Sequence, residues 1–90
     1  MTALDEERCR ALVEKLCSGL GWSVRPAPAV RYMLLDRAGR RITFGQSMSE
    51  IVESLCYWSW TWIDDPDVMP AWLRECSSPE ELMVKAEVAL

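Results

Sequence analysis

The sequence contains no histidine. With it go the usual base of a nucleophilic triad and the commonest proton shuttle near neutral pH, and so many hydrolase designs. None of the cysteine spacings is CxxC, and no imidazole is present to complete a zinc set, so neither a metal site nor a cofactor is expected. Neither GLG at 19–21 nor RAGR at 37–40 has the GxGxxG or GxxxxGK spacing of a phosphate-cradling loop. No run of about 18 apolar residues occurs, which argues against a membrane partner. The first ten residues, MTALDEERCR, are acidic and amphipathic where a signal peptide is basic and then apolar, so a cytoplasmic location is expected. Internal repeats and low-complexity stretches are lacking as well.

What is present is core-forming material. The chain has 90 residues, half of them apolar, with five tryptophans and 27% charged residues. That is too much for a disordered chain and enough for one core but not two, so residues 1–90 are expected to form a single compact domain. The net charge of −4 is unevenly spread. Residues 22–45 hold Arg25, Arg31, Arg37, Arg40 and Arg41 against Asp36 alone, whereas residues 46–90 hold nine acids against Arg74 and Lys85. Such polarisation bears on partners rather than on fold.

An α+β fold is read from the periodicities: an N-terminal amphipathic helix, a central antiparallel β-hairpin and three C-terminal helices. From Thr2 to Leu20, residues Cys9, Leu12, Val13, Leu16 and Leu20 recur on one helical face. Thr2 and Asp5 suit the start of this helix, and Gly19 and Gly21 its stop. In WSVRPAPAV, Pro26 and Pro28 impose an extended connector, which has room for a short edge strand before it. RYMLLD and RITFG flank DRAGR, with Gly39 placed for positive φ, and read as a hairpin with a glycine bulge. Both faces of the first of these strands are apolar, which suits a central strand or one covered on both sides. Tyr32 and Leu34 are assigned to one face, Met33 and Leu35 to the other, and Ile42 and Phe44 to a common face of the return strand. Ser47 with Glu50 is a capping box opening a helix to about Ile63, with Met48, Ile51, Val52, Leu55 and Trp62 on its core stripe. Asp67 can cap a short helix around Trp72. Ser78, Pro79 and Glu81 open the last helix, which carries Leu82, Met83, Ala86 and Val88.

Cys9 and Cys17 stand about 12 Å apart along a helix rising about 1.5 Å per residue, too far for a disulfide. Cys56 and Cys76 are the pair that could bridge, although buried free thiols are the simpler expectation, with Cys76 the most exposed. Asp64, Asp65 and Asp67 lack the alternating oxygens, glycine and terminal glutamate of a calcium loop and read as a helix end. No catalytic residue is assigned, and the protein is expected not to be an enzyme.

At about 100° per residue, a helix from Met48 places Glu50, Glu53, Tyr57, Trp60 and Asp64 on its outward stripe. Two large aromatic rings in an acidic rim form an interface composition for a basic partner; the equal alternative is that the loop after Asp65 and the helix around Trp72 fold back over Trp60. The stretch YWSWTW also fits a strand, in which Trp58, Trp60 and Trp62 would share a face; the capping box favours the helix. Arg37, Arg40 and Arg41 at the hairpin turn form a secondary candidate contact. A solvated turn is their first reading; as a contact they fit an acidic protein surface better than nucleic acid, given the negative total charge.

In size, lack of histidine, acidic 46–90 region and the face formed by EIVESLCYWSW, the chain is similar in kind to the small acidic proteins without catalytic residues that phages and prophages use against host machinery, anti-CRISPR proteins among them. The resemblance implies a protein-binding inhibitor. It would block a host protein or nucleoprotein complex by occlusion, either occupying a nucleic-acid path or locking a subunit. The alternatives are a nucleic-acid-binding accessory protein using the arginine hairpin, and a homodimeric structural protein.

Overall fold

The computed structural model describes residues 5–57 and 69–90. Helix α1 spans Glu6–Leu20 and is followed by strands β1 (Ser23–Pro26), β2 (Tyr32–Leu35) and β3 (Arg41–Gly45). Helices α2 (Met48–Tyr57), α3 (Ala71–Arg74) and α4 (Pro79–Ala89) complete the chain. The expected α+β order thus holds, and the optional edge strand is present as β1. The strands form one antiparallel sheet in the order β1-β2-β3, so the strand that is apolar on both faces is the central one. None of the described helices is long and apolar enough to cross a membrane.

Helix α1 starts where Asp5, in extended conformation, accepts the Glu7 N–H at 3.0 Å, satisfying one of the donors that a helix start leaves without a partner. It stops at Gly21, whose φ of 76° directs its N–H to the Cys17 carbonyl at 2.9 Å. A Cβ at Gly21 would also meet the exposed Arg37 side chain, whose Cγ lies 2.5 Å from where it would stand, but the positive φ is the reason glycine is favoured there. Thr2 lies outside the described residues.

The β2–β3 turn is held by Asp36. Its Oδ1 accepts the N–H groups of Ala38 and Arg40 at 2.8 and 2.9 Å, and its Oδ2 accepts the Arg40 Nε–H at 3.0 Å. Gly39 adopts a φ of 84°, as the bulge-type turn requires. The register then shifts. Thr43 pairs with Leu34 but Arg41 pairs with Leu35, which leaves Ile42 as the extra residue of a β-bulge. Strict alternation would have put Ile42 and Phe44 on one face. With the bulge, Ile42 and Thr43 are both buried and Phe44 points out, 46% exposed, which corrects the expectation from the sequence.

Helix α2 begins with Ser47 Oγ accepting the Glu50 N–H at 3.2 Å, the serine half of the expected capping box. A carboxylate for the first turn arrives from afar: Glu6 of α1 accepts the Met48 and Ser49 N–H groups at 2.8 and 3.2 Å, where the helix end favours negative charge. This contact sets the starts of α1 and α2 side by side. Gly45 lets α2 approach the sheet, because a Cβ there would sit 2.9 Å from the Glu50 Cβ and 3.2 Å from the Ile51 N. The continuation of α2 toward Ile63, the placing of Trp62 and the cap at Asp67 lie outside the described residues.

Leu12, Val13, Leu16, Trp22, Leu34, Ile42, Ile51, Val52, Leu55, Met69, Leu73, Leu82 and Ala86 form the buried core. Helix α4 opens as expected, with Ser78 Oγ accepting the Glu81 N–H and Pro79 in the first turn. The Glu81 carboxylate in turn accepts the N–H and hydroxyl of Ser77. Its other end does not match the expectation: Val88 is 85% exposed and outside the core. The buried side of α4 ends at Ala86, and the last turn faces water.

Candidate binding surfaces

Thiols are intrinsically the strongest nucleophiles among this chain's side chains. All four are free. Cys9, Cys56 and Cys76 are buried and Cys17 half-buried, so Cys76 is not the most exposed cysteine expected from the sequence. It sits in the core, with its Sγ–H directed at the Trp72 carbonyl at 3.4 Å. Burial pushes all four thiols up, and Cys56, with Cys76 as the next contributor, reaches about 12. Thiols so displaced stay protonated at neutral pH and are poor nucleophiles. Among the described residues no group of three or more cysteine, aspartate or glutamate side chains is placed to hold a metal ion.

The acidic surface rests on α2. Ile51, Val52, Leu55 and Cys56 are buried, while Glu50 and Glu53 are exposed, so the helix is held with these two acids outward. The side chain of Tyr57, and Trp60 and Asp64 altogether, lie outside what the structure describes.

The arginine turn is less open than the sequence suggests. Arg40 is bound to Asp36. Burial raises the Asp36 carboxyl, but the N–H groups of Arg40 and Ala38 and the Arg40 guanidinium outweigh it and hold the group below its ordinary value. Arg37 packs across Gly21. Arg41 lies over the ring of Phe44, 5.2 Å from its centroid, at cation–π distance.

Following the register outward from Arg41 reveals a surface that sequence reasoning missed. Across the sheet, Arg25 stands opposite Met33, and Met33 opposite Phe44; in the next row Ser23 stands opposite Leu35, and Leu35 opposite Arg41. Directly paired residues share a face. One face of the sheet therefore carries Met33 and Leu35 on its central strand, Phe44 and Arg41 on the β3 edge and Arg25 on the β1 edge. The helices meet the other face: α2 through the hydrogen bond between the Thr43 and Ser54 hydroxyls, α1 through Arg10, whose guanidinium lies 6.0 Å from the Tyr32 ring centroid. The signal was in the sequence as the apolar residues on both faces of β2. The bulge, which decides where Phe44 points, was not.

Between α1 and the helix-covered face lies a groove of about 310 Å³, lined among others by Arg10, Glu14, Cys17, Val24, Tyr32 and Met48. Its Arg10 lies against Tyr32, and that neighbour raises the guanidinium above its ordinary value. Comparison with known protein families, curated proteins and solved structures finds no match for the chain.

Proposed function

We propose that the protein is a small non-catalytic binding module of inhibitor type, which occludes a surface of a larger protein or nucleoprotein complex. The observation that carries this reading is the orientation of α2. Its apolar side is wholly engaged in the core, while Glu50 and Glu53 stand outward on the stripe that continues in sequence to Tyr57, Trp60 and Asp64. Acids at the rim of an aromatic patch steer a basic partner and sharpen its specificity, and tyrosine and tryptophan supply the anchoring area. The buried, protonated thiols and the lack of histidine support binding over catalysis.

The test is affinity capture from cells of the natural source with the wild-type protein, Glu50→Arg/Glu53→Arg and Tyr57→Ala/Trp60→Ala, each confirmed folded by circular dichroism. A partner retained by the wild type and lost from both variants is expected. A partner set unchanged in both folded variants rejects the α2 surface. Sedimentation of wild type against Trp60→Ala separates the dimeric alternative, which requires a mass that rises with concentration.

A further inference from the structure

We infer that the face of the sheet opposite α1 and α2 is a second docking surface, independent of α2, and that it takes an extended, acidic protein segment bearing apolar side chains.

The argument begins with the apolar content of that face. Met33, Leu35 and Phe44 lie together on it, and Phe44 is 46% exposed, although α1 and α2 both pack on the opposite side. Contiguous, partly exposed apolar residues on a sheet face that none of the described helices covers mark an interaction site.

Charge selects the partner. Arg25 and Arg41 border the patch on β1 and β3, and Arg37 stands at the turn beyond Leu35. Asp36, the sole acid among residues 22–45, is 6% exposed and spends both carboxylate oxygens on the turn. The face thus has an apolar central strand and arginines on both edges, with no further carboxylate among residues 22–45, whereas α2 outside is acidic.

Geometry selects the shape. Strand β2 has four residues, about 13 Å at about 3.3 Å per residue, and its neighbours lie about 4.8 Å to either side. An extended segment lying along it can place alternate apolar side chains on Met33 and Leu35, with flanking carboxylates reaching Arg25 and Arg41. Guanidinium groups suit carboxylates by bidentate pairing. Single-stranded nucleic acid fits less well. It needs open aromatic faces for stacking, and the one phenylalanine already carries Arg41 over its ring.

The test is a titration of ¹⁵N-labelled protein, followed by amide chemical shifts, with a short end-blocked peptide alternating glutamate and leucine. A glutamate–serine peptide and oligothymidylate serve as comparisons. Saturable shifts are expected at Arg25, Met33, Leu35, Arg41 and Phe44, weakening with salt. Affinity should fall about tenfold in Arg25→Gln/Arg41→Gln and in Phe44→Ser, and remain unchanged in Glu50→Arg/Glu53→Arg. That last variant separates failure here from failure of the α2 surface. The inference is overturned by an absence of saturable shifts, by shifts confined to other elements, or by equal affinity in the folded arginine variant. Tighter binding of oligothymidylate to the same face overturns it in favour of nucleic acid. Shifts at this face on concentrating the protein alone overturn it in favour of a second copy.

Discussion

The two faces of the three-stranded sheet are built from adjacent residues of the same strands, and both are apolar on β2. On one face Leu34 is fully buried, Thr43 is hydrogen-bonded to α2 and Gly45 admits the first turn of that helix. On the other, Met33 and Leu35 are only half-buried and Phe44 is exposed between arginines. A period-two pattern states which residues share a face but not which face is covered. What separates the faces here is the position of one bulge and the anchoring of α1 and α2 on a single side, by Glu6 to α2 and by Arg10 to Tyr32.

The difference has consequences that mutation can break. Leu34→Ala, on the covered face, should cost about 2–5 kcal/mol in urea unfolding, as for fully buried leucines. Phe44→Ala, on the open face, should cost less than half as much despite the larger side chain. Equal costs would mean that the open face is packed after all. Next in size is Gly45→Ala, expected to cost about 1–3 kcal/mol through crowding against the Glu50 Cβ and Ile51 backbone. A neutral outcome would mean that α2 sits farther from the sheet than described.

The smallest effect lies at the turn that joins the faces. Asp36→Asn should cost about 0.5–1 kcal/mol at pH 7, modest because its ion-pair partner Arg40 is largely in water. The carboxyl is held below its ordinary value of 3.8 in the folded protein, so protonation favours unfolding. Its contribution is complete above that value and is lost as pH falls through the lower folded value. The stability gap between wild type and Asp36→Asn, measured by urea at pH 7 and again near pH 3, should therefore narrow in acid.

Local chemistry made much of the fold legible. The Asp36–Gly39 turn, the Gly21 stop and the Ser78–Pro79–Glu81 start each draw on a few neighbouring residues, and each lies where the sequence placed it. The misses are all non-local. Glu6 reads as an acid suited to its own helix start, yet it caps α2 from 42 positions away. Cys76 reads as peripheral until α3 and α4 close over it. Phe44 reads as a companion of Ile42 until the bulge turns the two apart. Of the candidate sites, Glu50 and Glu53 stand outward as the helical wheel requires, and Arg37 and Arg41 stand at the hairpin. The link from Arg41 through Leu35, and from Phe44 through Met33 to Arg25, exists only in the strand register.

Methionine oxidation tests the contrast between the faces most directly, since Met33 lies half-exposed on the face opposite α1 and α2 while Met48 and Met69 are buried. Brief exposure of the folded protein to dilute hydrogen peroxide, followed by peptide mass mapping, should convert Met33 to its sulfoxide well ahead of Met48 and Met69. Oxidation of Met33 as slow as that of Met69 would contradict the account, because the face proposed to receive a partner would then already be covered.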